Sequence, residues 1–299
     1  MRLGINLPFH AGDGGSLDIA GISERARRIE EAGFDSVWVH DSLVPALQPR
    51  PDPLAWLLVA ATATTRLEVG TSILIVPTRN PVDLAQRVLT LHLVTGGRFT
   101  FGVGAGSTAG AHEAAGVPFE NRFRLLHEGA DTIRRLCRGE QVGAADLRPW
   151  AQTVGGPPML LGAWGSDISL RKAVRSYDGW ICSAARTSLS VISDGIKRYR
   201  DLGGARAVVG SCPIDLTKPT TPLGPDDPFS LRCRPEDAAE RLQLLVDLGF
   251  DDVALTLYDD AATGPRHHDA DATRAQLDEI RRLLPASVAA RETESRDEC

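Results

Sequence analysis

The 299-residue chain has no C-x-x-C pair, no long unbroken apolar run and no dense cluster of lysine and arginine. Its five cysteines, at 137, 182, 212, 233 and 299, are scattered and odd in number. That argues for reduced thiols rather than a disulfide framework or a zinc site. Nothing approaches the roughly 18 apolar residues of a transmembrane helix. Met1 leads straight into the strand-like Arg2–Leu7, with no charged stretch ahead of an apolar one, so a cytoplasmic protein is expected. With a net charge of −6 and no basic stripe, neither nucleic acid nor membrane is expected as a partner. No H-x-H stands at a strand end, which disfavours a metal-dependent barrel hydrolase. His267 and His268, beside Asp269 and Asp271, read as a solvated charge cluster, and no metal site is assigned.

What is present is an alternation of strands and helices. Leu3–Leu7 is a short apolar strand, and Ser16–Gly33 repeats Ile19, Ile22, Ala26, Ile29 and Ala32 at helical spacing, with Gly33 as its stop. The strand Phe34–Val39 ends in His40-Asp41-Ser42, and a helix follows near Leu54–Thr64. Leu67–Val76 is nearly continuous in apolar residues, as a strand buried on both faces should be, but Gly70, Thr71 and Ser72 interrupt it and predict a bulge. The helix Val82–Val94, the strand at 97–104 and the amphipathic helix Phe119–Arg138 complete the first half.

The second half repeats the rhythm with strands at Met159–Leu161, Gly179–Ser183, Ala207–Ile214 and Asp251–Leu257. Their helices are Asp167–Ser176, Ser188–Leu202, Pro235–Leu248 and Ala270–Leu284. Eight strand and helix units in about 250 ordered residues predict an α/β fold, a single (β/α)8 TIM barrel over residues 1–285. Residues 286–299 are polar and charged and are expected to be a disordered tail. Thr217–Phe229, with four prolines, is expected to be a mobile loop.

The stretch GRFTFGVGAGS, Gly97 to Ser107, ends a strand in glycines at 102, 104 and 106. Glycines there let a ligand approach the main chain closely. The dinucleotide fingerprint needs G-x-G-x-x-G opening a helix at once; here the sixth position is Ser107, and the next helix is expected only near Phe119. A nicotinamide Rossmann site is therefore not supported.

Four features meet at the rim where the strands end: His40-Asp41-Ser42, Thr71-Ser72-Ile73, Gly102–Ser107 and Gly162-Ala163-Trp164-Gly165-Ser166. With FDSVWVHDS (34–42), RLEVGTSILIVPTRNP (66–81), GGRFTFGVGAG (96–106), GVPFENRFRLLHE (116–128) and DGW (178–180), the chain resembles the bacterial luciferase-like superfamily of flavin- and deazaflavin-dependent oxidoreductases.

The resemblance implies a luciferase-like oxidoreductase or monooxygenase, with reduced FMN or coenzyme F-420 at the rim and a small organic substrate. Monooxygenation would go with FMN and hydride transfer with F-420. It also implies a non-proline cis peptide at Ser72–Ile73 beneath the cofactor ring, and Asp41 beside that ring. Gly104 and Gly106 would make room for the cofactor with Ser107 beside them; Gly165 and Ser166, with the N-terminus of the following helix, would contact its phosphate or side chain, Gly162 would adjoin it, and Trp164 and Trp180 would form walls, Trp180 being read rather as a core residue. A separate flavin reductase or deazaflavin-reducing enzyme, and a homodimer, are the partners it suggests.

Sugar-phosphate dehydrogenases of this family carry a histidine and a glutamate where this chain has Ser42 and Ser107. The missing pair leaves a non-catalytic flavin-binding protein as the alternative. Asp41, His10 and His112 are the candidate catalytic residues. His40 is read as a packing residue, because strand alternation turns it away from Asp41. Arg122 and Arg124 are candidate anion contacts, with Glu128 as a second partner for Arg122.

Overall fold

Parallel strands need crossover helices, and the alternation in the sequence supplies one after each stave of the barrel. The computed structural model describes residues 1–7, 17–43, 51–257 and 270–283. Nine strand segments run in the order β3-β2-β1-β9-β8-β7-β6-β5-β4, and an additional β3–β5 pairing closes the sheet. They are β1 (Arg2–Asn6), β2 (Ser36–Val39), β3 (Glu68–Thr71), β4 (Leu74–Ile75), β5 (Phe99–Gly104), β6 (Met159–Gly162), β7 (Gly179–Ser183), β8 (Arg206–Ile214) and β9 (Asp252–Leu257). All pairings between them are parallel. Since β3 and β4 are two halves of one stave, broken at Ser72–Ile73, the sheet is a closed eight-stave (β/α)8 barrel.

The helices begin where the sequence supplies caps. Asp18 accepts from the Gly21 N–H at the start of α1 (Ile19–Glu31). Asp52 and Asn80 cap α2 (Pro53–Thr62) and α3 (Pro81–Val94), each with proline as the first helical residue. Gly33, at φ +84°, turns the chain from α1 toward β2. Among the described residues no helix is long and apolar enough to cross a membrane.

Two expectations need correcting. A short helix, α4 (Ala109–Ala114), opens directly after the glycine loop, well before α5 (Arg122–Cys137). The proline-rich stretch 217–229 is held rather than mobile. Its Asp227 and Pro225 carbonyls accept from Leu189 N and Ser190 N at the start of α7 (Leu189–Asp201), and Phe229 is fully buried. Extended proline-containing backbone thus satisfies N–H groups that a helix N-terminus leaves without intrahelical partners.

The barrel interior is built in tiers. At the N-terminal ends of the strands, Arg206 binds Asp252 through Nε and Nη2, both at 2.8 Å, and reaches Glu68 at 2.8 Å. Arg2 binds the other Glu68 oxygen at 2.6 Å. Above this ion network lies an apolar tier of Trp38, Leu160, Ile181, Val208 and Ala254. Gly4 and Gly70 give Trp38 its space, since a Cβ on either would fall within 2.7 Å of the indole. Cys137, Cys182, Cys212 and Cys233 are buried and unpaired. Burial pushes the Cys137 thiol up to about 11 and the Cys182 thiol up to about 12, so neither is an available nucleophile.

Candidate active site

Alternation along each strand fixes which residues face the barrel mouth. Arg2, Gly4 and Asn6 share the inward face of β1, and Ser36 and Trp38 share that of β2, as the bond from Trp38 Nε1 to Ser36 Oγ (2.8 Å) requires. Continuing this parity puts His40 inward and Val39 outward. The Ser72–Ile73 peptide is cis, as the resemblance implied. Its two side chains enter the mouth: a Cβ on Gly210 would lie 2.6 Å from Ser72 Oγ. A Cβ on Gly104 would lie 2.6 Å from Ile73 Cδ1, and one on Gly162 2.5 Å from Ile73 Cγ2. Gly104 and Gly162 therefore make room first for Ile73, not directly for a ligand.

The mouth has two unlike halves. Thr256, Asn6, His40 and Ser72, from adjacent staves β9, β1, β2 and β3, form a polar arc. Gly210, Ser183, Gly162 and Gly104 form the opposite, small-residue arc, with half-buried Ile73 laid against it. In the polar arc, Asn6 Nδ2 donates to Leu255 O (3.2 Å) and Thr256 Oγ1 (2.8 Å). His40 Nδ1 lies 2.6 Å from Ser72 O, and because a carbonyl only accepts, Nδ1 carries the proton.

Asp41 takes a different part from the one expected. Its side chain is 2% exposed, and its oxygens accept from Ile75 N (2.8 Å), Arg79 Nη1 (2.5 Å) and Arg79 Nη2 (2.9 Å). This is a bidentate clamp behind the bulge. Asp41→Asn is expected to cost about 3 kcal/mol, because it leaves the half-buried Arg79 without its counter-charge. Thermal unfolding checks this, and an unchanged midpoint would return Asp41 to the ligand side.

His112 is not at the surface of the mouth either. It is fully buried, with Nδ1 3.0 Å from Thr108 O and Nε2 2.9 Å from Ala105 O, so it ties the glycine loop to α4. Gly106 combines φ +75° with a missing Cβ that would meet Ile75 and His112 within 3.0 Å. Ser107 beyond it is exposed. His10, His267 and His268 lie outside the described residues, as does the tail 286–299.

The segment after β6 is divided in its roles. Trp164 is exposed, Gly165 adopts φ +85° and its carbonyl accepts from Arg198, and Ser166 caps α6 (Asp167–Ser176). Trp180 is a core residue, 1% exposed. Arg124, rather than Arg122, pairs with Glu128 at 2.7 Å, while Arg122 stacks over Phe119 and Phe123. Among the described residues no three histidine, cysteine, aspartate or glutamate side chains gather as metal ligands.

These residues fit a flat heteroaromatic group. Ile73 and the glycines behind it form an apolar ledge, and Asn6 Oδ1, buried and without a hydrogen-bond partner among the described residues, belongs to the polar arc. A parallel eight-stave barrel with a ledge and a polar arc at its C-terminal mouth defines the class of (β/α)8 proteins that bind small molecules at that rim.

The luciferase-like monooxygenase family model matches residues 1–293, and the chain belongs to that family. An F-420-dependent glucose-6-phosphate dehydrogenase of Amycolatopsis mediterranei is 32% identical over 177 residues, 54% of this chain and 53% of that protein. The 4-hydroxyprotoasukamycin monooxygenase of Streptomyces nodosus subsp. asukaensis is 30% identical over 135 residues, 45% of this chain and 36% of that one. The match thus spans about half the length of the dehydrogenase and about a third of that of the monooxygenase. The fold is shared with a Streptomyces bottropensis monooxygenase at TM-score 0.74 and 16% identity, covering 94% of this chain and 98% of that one. It is shared also with an F-420-dependent secondary alcohol dehydrogenase at TM-score 0.70 and 17% identity, covering 95% of this chain and 98% of that one.

Proposed function

We propose that this chain is an oxidoreductase that holds coenzyme F-420 by its ring against Ile73 and acts on a small organic substrate lying toward the polar arc. The observation that carries the reading is the wedge of Ser72 and Ile73 set against Gly104, Gly162 and Gly210, which leaves a flat apolar ledge facing polar side chains. The dehydrogenase relatives, at 31–34% identity, favour F-420 over FMN. Ser42 and Ser107, standing where the family's sugar-phosphate dehydrogenases carry histidine and glutamate, argue for a substrate other than a sugar phosphate.

When bound, the coenzyme supplies a hydride donor or acceptor. The ledge bears one face of the ring and keeps water from it, which preserves electrostatic interactions in the site. His40, steadied by its Nδ1–H bond to Ser72 O, would take or give at Nε2 the proton that accompanies hydride transfer. A separate deazaflavin-reducing enzyme would regenerate the reduced form.

The test is titration of the purified protein with F-420 and with FMN, each oxidised and reduced, followed by calorimetry. Stoichiometric binding of F-420 is the expected result. Binding of FMN alone would move the chemistry to flavin-dependent oxygenation, and binding of neither would overturn the oxidoreductase reading.

A further inference from the structure

Buried side-chain oxygens nearly always have a hydrogen-bond partner, because desolvation without one is unfavourable. Asn6 is 7% exposed and, among the described residues, its Oδ1 has none. Its amide is not free to turn and find one, since Nδ2 is held by both Leu255 O and Thr256 Oγ1. The inward parity of β1 places this acceptor in the polar arc, beside Trp38 in the strand register and opposite the Ile73 ledge. Both amide donors are engaged within the protein, so the side chain offers a ligand an acceptor and nothing else.

We propose that Asn6 reads a proton-bearing group of the bound ligand, accepting a hydrogen bond from an N–H or O–H at the barrel mouth. At that position the site prefers a donor over a bare carbonyl oxygen, whose lone pairs would face those of Oδ1. Two sources present such a donor: the amide N–H of the coenzyme ring, or the hydroxyl of an alcohol substrate, whose ketone form lacks it. The inference rests on the coenzyme reading above and adds which group the mouth selects.

The experiment compares wild-type protein with Asn6→Ala and Thr256→Val. The second variant keeps the bond to Leu255 but loosens the amide, and it holds the test open should Asn6→Ala fold poorly. Calorimetry measures the affinity for F-420 alone, and then, with F-420 bound, for cyclohexanol and cyclohexanone as a matched donor and acceptor pair. If the ring is the donor, Asn6→Ala weakens F-420 binding about tenfold and Thr256→Val weakens it less. If the substrate is the donor, F-420 affinity holds while the wild-type preference for cyclohexanol disappears in both variants.

Unchanged coenzyme affinity together with an unchanged alcohol preference would overturn the inference and show that Oδ1 is satisfied by a fixed water. Failure of wild-type protein to bind F-420 or FMN would instead overturn the function it rests on, and this inference with it.

Discussion

Gly102→Ala is expected to be the most disruptive single-methyl change in the barrel, with a loss of about 3 kcal/mol or more of stability. A Cβ at this position would lie 1.9 Å from the Thr71 carbonyl oxygen and 2.7 Å from Ile181 Cδ1. The first of these atoms is backbone and cannot rotate away. The same residues also share a bond, Thr71 Oγ1 donating to Gly102 O at 2.7 Å, so β3 and β5 cannot separate without breaking it. Gly116→Ala is the control. It has φ +68° but nothing within 4 Å, so only backbone strain of about 1–2 kcal/mol is expected. Denaturant unfolding of both variants decides the matter, and equal losses would show that β5 does not approach Thr71 so closely.

Arg206→Met is expected to lose about 3–5 kcal/mol near neutral pH, because it strands two buried carboxylates with Arg2 alone. Burial raises Asp252 above the usual carboxylate range, and its bond to Arg206 offsets this only in part. Burial also pushes Glu68 upward, but Arg206 and Arg2 outweigh it and hold its carboxyl below the usual range.

In the wild type, then, the Glu68 contribution is present above the ordinary glutamate pKa and is lost as pH falls through the lowered folded value. Removing Arg206 takes away the main counter-charge and raises both carboxyls. A raised folded pKa gives stability at low pH that is lost as pH rises through it. The deficit of the variant should therefore shrink as pH is lowered from about 8 to 5. Unfolding measured at several pH values checks the sign; a deficit independent of pH would mean that lost packing, rather than stranded charge, is responsible.

Much of the barrel was legible because parallel strands buried on both faces and capped helices leave strong local signals. Asp167–Ser176 and Gly179–Ser183 coincide with their elements to the residue. The interruption at Gly70–Ser72 marked the broken stave. What eluded the sequence depended on partners far along the chain. Nothing local to 217–229 shows that its carbonyls cap α7, and Ala109–Ala114 is too short to display a helical period.

The site was half legible for a related reason. The parity that separates His40 from Asp41 is correct, but which of the two faces the mouth is fixed by Trp38, whose indole fills the barrel beside Gly4 and Gly70. The place of Asn6 is marked in the sequence by a period of two. Arg2, Gly4 and Asn6 alternate with Leu3, Ile5 and Leu7, and that period of two separates a barrel lumen from the helix layer.

The seating of Ile73 between Gly104 and Gly162 has a consequence for how such a site is reshaped. Glycine has no side chain to trim and, at these positions, no space to gain one. Beside β5 and β6, size is therefore governed by Ile73. Shortening Ile73 would deepen the ledge toward β5 and β6 while the surrounding strands stay in register, because no neighbouring side chain on those strands can swing in to fill the gap. The room at the small-residue side is thus set at one codon, whereas the polar groups across the lumen, Asn6, His40 and Thr256, vary independently of it.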